Sequence, residues 1–394
     1  MSRSAFSARA FFRDPVEYVV ANGDGHATIP LSAGPSRFLL VRDPELVWRV
    51  LVTDADSFAP GKWKRRARRF VGATLNTLSG EEHRRRRQLL QPPLDRRRIA
   101  RFAPAIAQRV ERAQSAWEDG ARIVLRDTLD PLSLGAAGDV LLSTELDPGL
   151  AYELLRIVAA VPRFTPPVPG TPGHAALGRV ERVVEALIAA RAGQAEEEDD
   201  LLVALLRSGL PERTVRGEVI ACLLAAVDEP PSTLEATWYL LGRHPEAEAR
   251  LHAELDAGGS SPYLDAVLLE ALRLFPPARY IDRCPVQDVR IGDVRFERGS
   301  NVLVSPLVTH ADARVYERPS AFEPERWLGG RAGGRGGYVP FGAGAHTCIG
   351  EPLSRAIMTA TLATFARRWR FQVDPDAPPP VPRSPRLRVT LARR

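Results

Sequence analysis

FGAGAHTCIG, residues 341–350, surrounds one cysteine with glycines and other small residues. Glycines in such a loop let the backbone pass close to a flat, bulky group. The run Glu351–Arg368 that follows has the character of a helix. A thiol just before a helix start lies where amide dipoles favour the thiolate, which is the form that binds metal. The pattern therefore predicts that Cys348 is a metal ligand, the alternative being a buried cysteine in a glycine-rich loop.

The same ten residues resemble the haem-binding signature of the cytochrome P-450 family, which reads Phe-x-x-Gly-x-x-x-Cys-x-Gly. Its fixed positions are occupied by Phe341, Gly344, Cys348 and Gly350. Residues 348–371 are similar to the same region of soluble actinobacterial members. The resemblance implies haem b as cofactor, with Cys348 as the axial ligand of the iron. It also implies that Phe341 and Gly350 belong to the cofactor-binding loop.

The bulk composition is that of an ordinary globular protein. The 394 residues are 44% hydrophobic and 26% charged, which is enough for one large domain or two smaller ones. A net charge of +6 permits an acidic partner but does not by itself imply nucleic acid. The three cysteines have no paired spacing, which argues for a reducing compartment and against a disulfide framework or a zinc site.

The sequence predicts no targeting segment and no membrane anchor. The first fifteen residues lack the apolar stretch of a signal peptide. The longest apolar run, residues 219–227, is far shorter than the roughly 18 residues that span a bilayer. We therefore expect a cytoplasmic protein, and we expect it to be a monomer.

The resemblance covers nearly the whole chain and implies one domain over residues 1–394. The implied fold is mostly helical, with a smaller β part contributed mainly by residues 28–52 and 280–310. In that fold the haem lies between a long central helix and the helix behind the cysteine loop. Residues 162–173, rich in proline and glycine, are predicted to be a loop, which in the family lies in the lid over the substrate channel.

Periodicity predicts several local elements. Residues 38–41 are strand-like, and residues 44–51 have helical spacing. Residues 291–304 alternate as in a hairpin with its turn at residues 299–300. Residues 387–391 are predicted to form a terminal hairpin, and the acidic run at residues 196–200 a solvated linker.

Three arginine-rich runs, at residues 62–69, 84–87 and 96–98, stand out in the first hundred residues. Such runs are usually solvated faces, and here they are also candidates for a basic surface that meets an acidic ferredoxin. They lack interleaved aromatic residues and match no nucleic-acid-binding module, so we expect no nucleic-acid partner.

Four residues are predicted to hold the haem propionates. His83 and Arg87 are four positions apart, so they share one face of a helix. Buried propionates need charge-assisted partners. The sequence GEEHRRRRQLLQPPL resembles a helix of the family. In that helix a histidine or tryptophan lies four positions before an arginine that binds a propionate. The same resemblance assigns propionate contacts to Arg283 and His346.

Residues 215–241 have helical periodicity that is interrupted by Pro230 and Pro231. The simplest interpretation is two helices joined by a kink, because proline lacks an N–H group and disfavours a helix interior. A helix continued through both prolines would leave the carbonyls of Ala226 and Val227 without their usual donors.

Aligned with the long central helix of the family, this segment departs from the usual pattern. Asp228 keeps the usual acid, but Glu229 stands where the family has a threonine, and Ala226 replaces a glycine. In the family the threonine helps to deliver protons to bound dioxygen. Three explanations stay open: Asp228 and Glu229 relay the protons, the substrate supplies the hydroxyl, or the chemistry needs no relay.

Glu270 and Arg273 are three positions apart, and together with Arg326 they resemble the structural Glu-Arg-Arg triad of the family. On their own, the first two would be a weak surface ion pair. The surrounding sequences EALRLFPPARY and FEPERW strengthen the resemblance. The implied role is to fix the chain before the cysteine loop, and it is not catalytic.

The resemblance implies a haem-thiolate monooxygenase of secondary metabolism. It would oxidise a small apolar molecule by hydroxylation, epoxidation or a related step, with electrons from a ferredoxin and its reductase. One alternative is an atypical member of the family with peroxide-driven or redox-neutral chemistry, such as rearrangement, dehydration or nitrogen transfer. A second alternative is a non-catalytic haem sensor.

Overall fold

The computed structural model describes residues 6–22, 25–33, 36–62, 64–65, 68, 72–160, 171–191, 199–330, 332–380 and 386–394. Helix predominates over strand among them, so the predicted fold class is confirmed. Most of the predicted lid loop, the first part of the predicted acidic linker and part of the first basic run lie outside the described residues.

The helices form most of the molecule. They are α1 (Ala8–Arg13), α2 (Pro15–Asn22), α3 (Pro44–Trp48), α4 (Gly80–Leu90), α5 (Arg96–Arg101), α6 (Ala103–Ala113), α7 (Leu125–Leu142), α8 (Gly149–Ala160), α9 (Pro172–Arg191), α10 (Leu201–Arg207), α11 (Glu212–Leu241), α12 (Pro245–Ala257), α13 (Pro262–Leu274), α14 (Pro306–His310) and α15 (Glu351–Arg368). A short helical turn lies at Gly334–Gly337.

The strands form three sheets. They are β1 (Phe6–Ser7), β2 (Thr28–Ala33), β3 (Ser36–Val41), β4 (Phe58–Pro60), β5 (Arg122–Val124), β6 (Ile281–Pro285), β7 (Val289–Ile291), β8 (Val294–Phe296), β9 (Asn301–Val304), β10 (Trp369–Val373) and β11 (Arg388–Arg393). The largest sheet has the order β1-β2-β3-β9-β6-β4, and its strands come mostly from the two regions predicted to be β-rich.

The long helix α11 lies at the centre of the helical part. Its 30 residues pack against α7, α13 and α15, and most of its side chains are buried. The main apolar core surrounds it, with Trp238 fully buried against the ring of Phe371 at 4.2 Å between centroids. A second, smaller core lies under the largest sheet and includes Val50 and Phe296.

Residues 36–53 form the strand and the helix that the local sequence pattern predicted. The strand predicted at residues 38–41 is the second half of β3. Asp43 begins α3, because its carboxylate accepts the N–H of Leu46 at 3.1 Å and Pro44 follows at the first helical position. The chain continues from α3 as a turn of π-helix, Arg49–Thr53, so the helical spacing over residues 44–51 is confirmed.

Two strand predictions need correction. The hairpin of residues 289–296 pairs β7 with β8 and turns at Gly292, whose φ is +56°, so the predicted turn at residues 299–300 is wrong. Strand β9 instead pairs with β3 and β6 in the largest sheet, because its side chains are buried there. The hairpin predicted at residues 387–391 is instead, from residue 388 onward, part of one strand, β11, which pairs with β10 and β5.

The interpretation of residues 215–241 as two kinked helices is also wrong, since α11 runs unbroken through Pro230 and Pro231. The prediction of a solvated linker at residues 196–200 is also wrong for its last residue. Asp200 is fully buried, begins α10 by accepting the N–H of Val203, and forms an ion pair with Arg191 at 2.9 Å. Burial of a carboxylate is tolerated here because both of its oxygens have donors.

No helix among the described residues is both long enough and apolar enough to cross a membrane.

Candidate functional site

The loop that carries Cys348 is held in a fixed shape by its own backbone. The N–H of Cys348 donates to the carbonyl of Phe341 at 2.8 Å. Gly344 has a φ of +69°, and a Cβ placed there would lie 2.4 Å from the carbonyl oxygen of Leu51. This position therefore excludes any larger residue. Helix α15 begins directly behind the loop, with Gly350 as its first flanking residue, as the sequence predicted.

Cys348 lines a cavity of about 390 Å³ that α11 also lines. The residue is partly buried, and loss of hydration together with the charge of Glu229 raises the pKa of its thiol to about 12. A thiol in this environment keeps its proton unless another cation takes the proton's place. Iron is such a cation, so the cavity chemistry agrees with a metal ligand at this position.

Most of the predicted site residues meet in this cavity. Those that line it are His83, Arg87, Glu229, Arg283, Phe341, His346, Cys348 and Gly350. They come from α4, α11, β6 and the cysteine loop, which are far apart in the sequence. Asp228 is absent from the lining, so the structure separates the two adjacent carboxylates.

Three cations line the cavity, and none of them has a carboxylate within ion-pair distance in the described part of the chain. They are Lys64, Arg87 and Arg283. Burial lowers the pKa of each of these side chains, because the charged form loses its hydration. Charges of one sign that are at least partly buried and have no anionic partner favour a ligand of the opposite sign. Two propionates provide that charge, so the residues fit a haem.

Arg87 also ties α4 to the cysteine loop. Its Nη1 donates to the carbonyls of Ala345 at 3.1 Å and Thr347 at 2.6 Å. The two predicted histidines lie beside it, and the rings of His83 and His346 are 3.9 Å apart between centroids at an angle of 37°. Burial, with smaller contributions from the neighbouring cations, lowers their pKa values to about 4 and about 3. Both rings are therefore neutral near pH 7.

Lys64 is a cavity residue that the sequence did not single out. Its arginine-rich surroundings predicted a solvated face, and the neighbouring Lys62 and Arg65 are indeed exposed. Lys64 instead lines the cavity, next to the charges of Arg283 and Asp282. No sequence signal distinguishes it, because only the folded chain shows which lysine of the run lines the cavity.

Glu229 lines the cavity from α11, and its side-chain carboxyl has no hydrogen bond or ion pair to any described residue. Burial and the nearby charge of Asp228 raise its pKa to about 7, and Lys64 opposes this shift. The carboxyl group can therefore both hold and release a proton near neutral pH. Asp228 lies 3.6 Å from Arg126 of α7 instead.

A second buried carboxylate of the cavity was also missed. Glu218 of α11 forms an ion pair with Arg86 and accepts the N–H of Leu75 at 2.9 Å. This links the segment before α4 to the central helix. Arg86 belongs to a run that predicted only a solvated face, so its partner was visible only in three dimensions. Because Glu218 is already paired, its role here is structural.

The three residues of the predicted triad meet away from the cavity. Glu270 is fully buried and accepts from Arg273 at 2.9 and 2.8 Å and from Arg326 at 3.0 Å. It also accepts from the Trp327 indole at 2.8 Å and the Glu323 N–H at 3.0 Å. These bonds hold the chain before the cysteine loop against α13.

Comparisons with known proteins agree with this geometry. A family model described as cytochrome P-450 matches residues 178–393. The chain is 33% identical to cyclooctat-9-en-7-ol 5-monooxygenase of Streptomyces melanosporofaciens, over 93% of this chain and 87% of that protein. It is 31% identical to pentalenene oxygenase of Streptomyces avermitilis, over 91% and 86%.

A solved structure adds the same likeness at the level of the fold. A six-coordinated cytochrome P-450 from Thermus thermophilus superimposes with a TM-score of 0.81 at 25% identity. The match covers 98% of this chain and 99% of that one.

Proposed function

The chain belongs to the cytochrome P-450 family, and we propose that it is a haem-thiolate monooxygenase that oxidises a terpenoid-like substrate in secondary metabolism. Membership makes it an oxidoreductase, so the sensor alternative is set aside. The observation that carries the proposal is one cavity lined by the Cys348 thiol and by three cations that have no carboxylate partner among the described residues.

The cavity residues have distinct roles toward haem b. Cys348 would bind the iron through Sγ, and Lys64, Arg87 and Arg283 would neutralise the two propionates. His83 and His346 would each donate an N–H to a propionate oxygen. When bound, the haem supplies the activation of dioxygen and the redox chemistry of oxygen insertion.

The substrate side of the cavity is apolar and made of small residues. Helix α11 contributes Ala221, Ala225 and Ala226, and Leu75 and Ile281 lie around them. Such a surface favours a hydrocarbon skeleton over a charged substrate. The names of the two Streptomyces relatives denote polycyclic terpenes or their alcohols. We infer a substrate of that class, oxidised by hydroxylation, epoxidation or a related step.

Glu229 is the cavity group suited to move a proton. The reaction RH + O₂ + 2e⁻ + 2H⁺ → ROH + H₂O consumes two protons. A carboxyl group with a pKa near 7 and no bonding partner among the described residues can supply them one at a time from Oε. Asp228 would act only indirectly, because it does not line the cavity.

The electrons are proposed to come from a ferredoxin and its reductase. Arg87 of α4 contacts the cysteine loop, so exposed arginines of the same helix lie near that loop. Arg84 and Arg85 are exposed there, although both also pair with Glu81. A basic surface close to the metal ligand suits an acidic electron donor.

The ligand assignment is tested by replacing Cys348 with Ala or His. The reduced carbon monoxide complex should lose its thiolate-type Soret band, because the thiolate is the ligand that produces it. Cys222→Ala is the matched control, since this second cysteine also lines the cavity and should leave the band unchanged. An unchanged band in the Cys348 variants would show that the iron has another ligand.

A second candidate function is peroxide-driven oxidation, RH + H₂O₂ → ROH + H₂O. The observation that favours it is Glu229, whose carboxyl lies in the cavity where the family has a threonine. One carboxylate can take a proton from one peroxide oxygen and return it to the other, so no relay from solvent is required.

Glu229→Gln and Glu229→Thr distinguish the two functions. If peroxide is the oxidant, both variants should lose roughly a hundredfold in peroxide-driven turnover, which is the usual scale of a lost acid–base group. If dioxygen is the oxidant, Glu229→Thr should keep or raise the product formed per NAD(P)H with ferredoxin and reductase. Product formation from dioxygen that falls only in Glu229→Gln would support the direct relay through the carboxyl group.

A further inference from the structure

Two consecutive prolines in the middle of α11 remove two backbone donors from its hydrogen-bond ladder. In a helix, the N–H of each residue donates to the carbonyl four positions earlier. Pro230 and Pro231 have no N–H, so the carbonyls of Ala226 and Val227 lose their normal partners. Both residues are buried, and a buried carbonyl without a donor costs free energy.

The structure supplies both carbonyls with donors from α7. Ser133 Oγ donates to the carbonyl of Ala226 at 2.6 Å, and Ser133 is fully buried. The Nη2 of Arg126 donates to the carbonyl of Val227 at 3.4 Å, which is a long bond. The two side chains lie two helical turns apart on α7, facing consecutive carbonyls of α11.

Arg126 makes further contacts that fix its position. Its Nε forms a short ion pair with Asp130, and its Nη1 donates to Ser232 Oγ at 2.8 Å. Its Nη2 also lies 3.6 Å from Asp228. One guanidinium thus holds a carbonyl, a hydroxyl and a carboxylate of α11, on the side of the helix away from the cavity lining.

We propose that Ser133 and Arg126 are positioning residues that replace the two hydrogen bonds lost at Pro230 and Pro231. They keep α11 helical through both prolines and set the rotation of the turn between them. In that rotation Glu229 enters the cavity and Asp228 faces α7. The hydrogen-bond replacement stands independently of the reaction, whereas its importance for Glu229 rests on the proposed function.

The replacement has a chemical consequence for the cavity. Each of the two carbonyls is already bonded to a side chain, so neither needs a water molecule as its partner. Proton delivery on this side of the cavity therefore depends on the Glu229 carboxyl itself. A change at Ser133 or Arg126 that rotates the turn would move this group even though neither side chain lines the cavity.

The test is a set of double-mutant cycles on the haem-loaded protein, read by amide hydrogen exchange over residues 222–236. Ser133→Ala leaves the Ala226 carbonyl without a donor and should speed exchange there roughly tenfold. In a Pro230→Ala background the new N–H serves that carbonyl, so Ser133→Ala should change the rate less than about threefold. Equal effects in both backgrounds would overturn the proposal.

Pro231→Ala is the matched control, because it restores the N–H that faces Val227 and not Ala226. Ser133→Ala should keep its roughly tenfold effect in that background. Arg126→Met should show the reverse preference, with coupling to Pro231→Ala. It also removes the ion pair between Arg126 and the buried Asp130, which keeps only a 3.6 Å contact with Arg386, so the Ser133 series decides the question.

A second readout tests the orientation of Glu229. Imidazole binding to the haem, followed by absorption, should weaken or strengthen at least about threefold in Ser133→Ala, because the neighbouring carboxyl moves. The same change in a Glu229→Gln background should have no effect. If Ser133→Ala shows the expected exchange coupling but an unchanged imidazole dissociation constant, the hydrogen-bond replacement is supported. The proposal that Ser133 positions Glu229 is then overturned.

Discussion

Lys64, Arg87 and Arg283 come from three separate segments and direct three charges into one cavity. Such an arrangement is unfavourable in isolation, because like charges repel and burial lowers the pKa of each group. The two negative propionates of the proposed cofactor would attract all three cations and so make their arrangement favourable. Binding of the haem and stability of the folded protein are therefore expected to be strongly linked.

Lys64→Met is expected to weaken haem retention. A hydrogen bond to a charged group contributes about 1.5–3 kcal/mol, so the rate of haem loss to an acceptor protein should rise at least about tenfold. Lys62→Met is the control, since this exposed lysine lies on the same segment and does not line the cavity. Equal rates in the two variants would mean that Lys64 makes no propionate contact.

At the scale of elements, the cysteine loop depends on close backbone contact with a neighbouring segment. Gly342 and Gly344 both have a positive φ, at +73° and +69°. Only Gly344 also lies against backbone, since a Cβ there would be 2.4 Å from the Leu51 carbonyl oxygen. At Gly342 the nearest atom would be 3.6 Å away, which is ordinary contact.

Gly344→Ala should therefore be far more damaging than Gly342→Ala. Gly342→Ala adds only backbone strain, about 1–2 kcal/mol, and should still load haem. Gly344→Ala adds a clash that moves the loop away from residue 51, and should lose most of the thiolate-type absorption. The measurement is the haem content and Soret spectrum of both purified variants. Similar spectra would show that the loop can move away at little cost.

Helix α11 shows what the local sequence can and cannot predict. The two prolines and the two carbonyls that they leave without N–H donors follow from the i to i−4 pattern alone. That pattern predicts a break in the helix. It does not show which side chains elsewhere in the chain donate to the two carbonyls and prevent the break. Ser133 is 93 residues away from the carbonyl that it serves.

For the whole molecule, the network around Glu270 connects α13 with the chain that leads to the cysteine loop. Burial acts to raise the pKa of Glu270, but the hydrogen bonds from Arg273 and its neighbours lower it more, so its folded pKa lies below 4.5. A depressed carboxyl pKa adds stability above the unfolded pKa. This stability is lost as the pH falls through the folded value.

Glu270→Gln should lower the free energy of unfolding at pH 7 by about 3–5 kcal/mol, because it leaves a buried arginine without its counter-charge. The variant should also lose less stability than the parent when the pH falls below about 4.5. Denaturant unfolding at several pH values measures both effects. Glu118→Gln, at an exposed position, is the control and should resemble the parent. A variant with the parent's acid dependence would contradict this role.

The sequence by itself predicted the family, the helical fold class and the triad, singled out Cys348 as the proposed ligand, and named His83, Arg87 and Arg283, which line the cavity with it. These follow from short motifs and from spacings within one helix, where neighbours in sequence are neighbours in space. Only the tertiary structure decided which lysine of a basic run enters the cavity, that Asp228 and Glu229 separate, and how α11 passes its prolines. Those outcomes depend on packing between distant segments, because burial and hydrogen-bond partners are properties of the folded surface and not of local spacing.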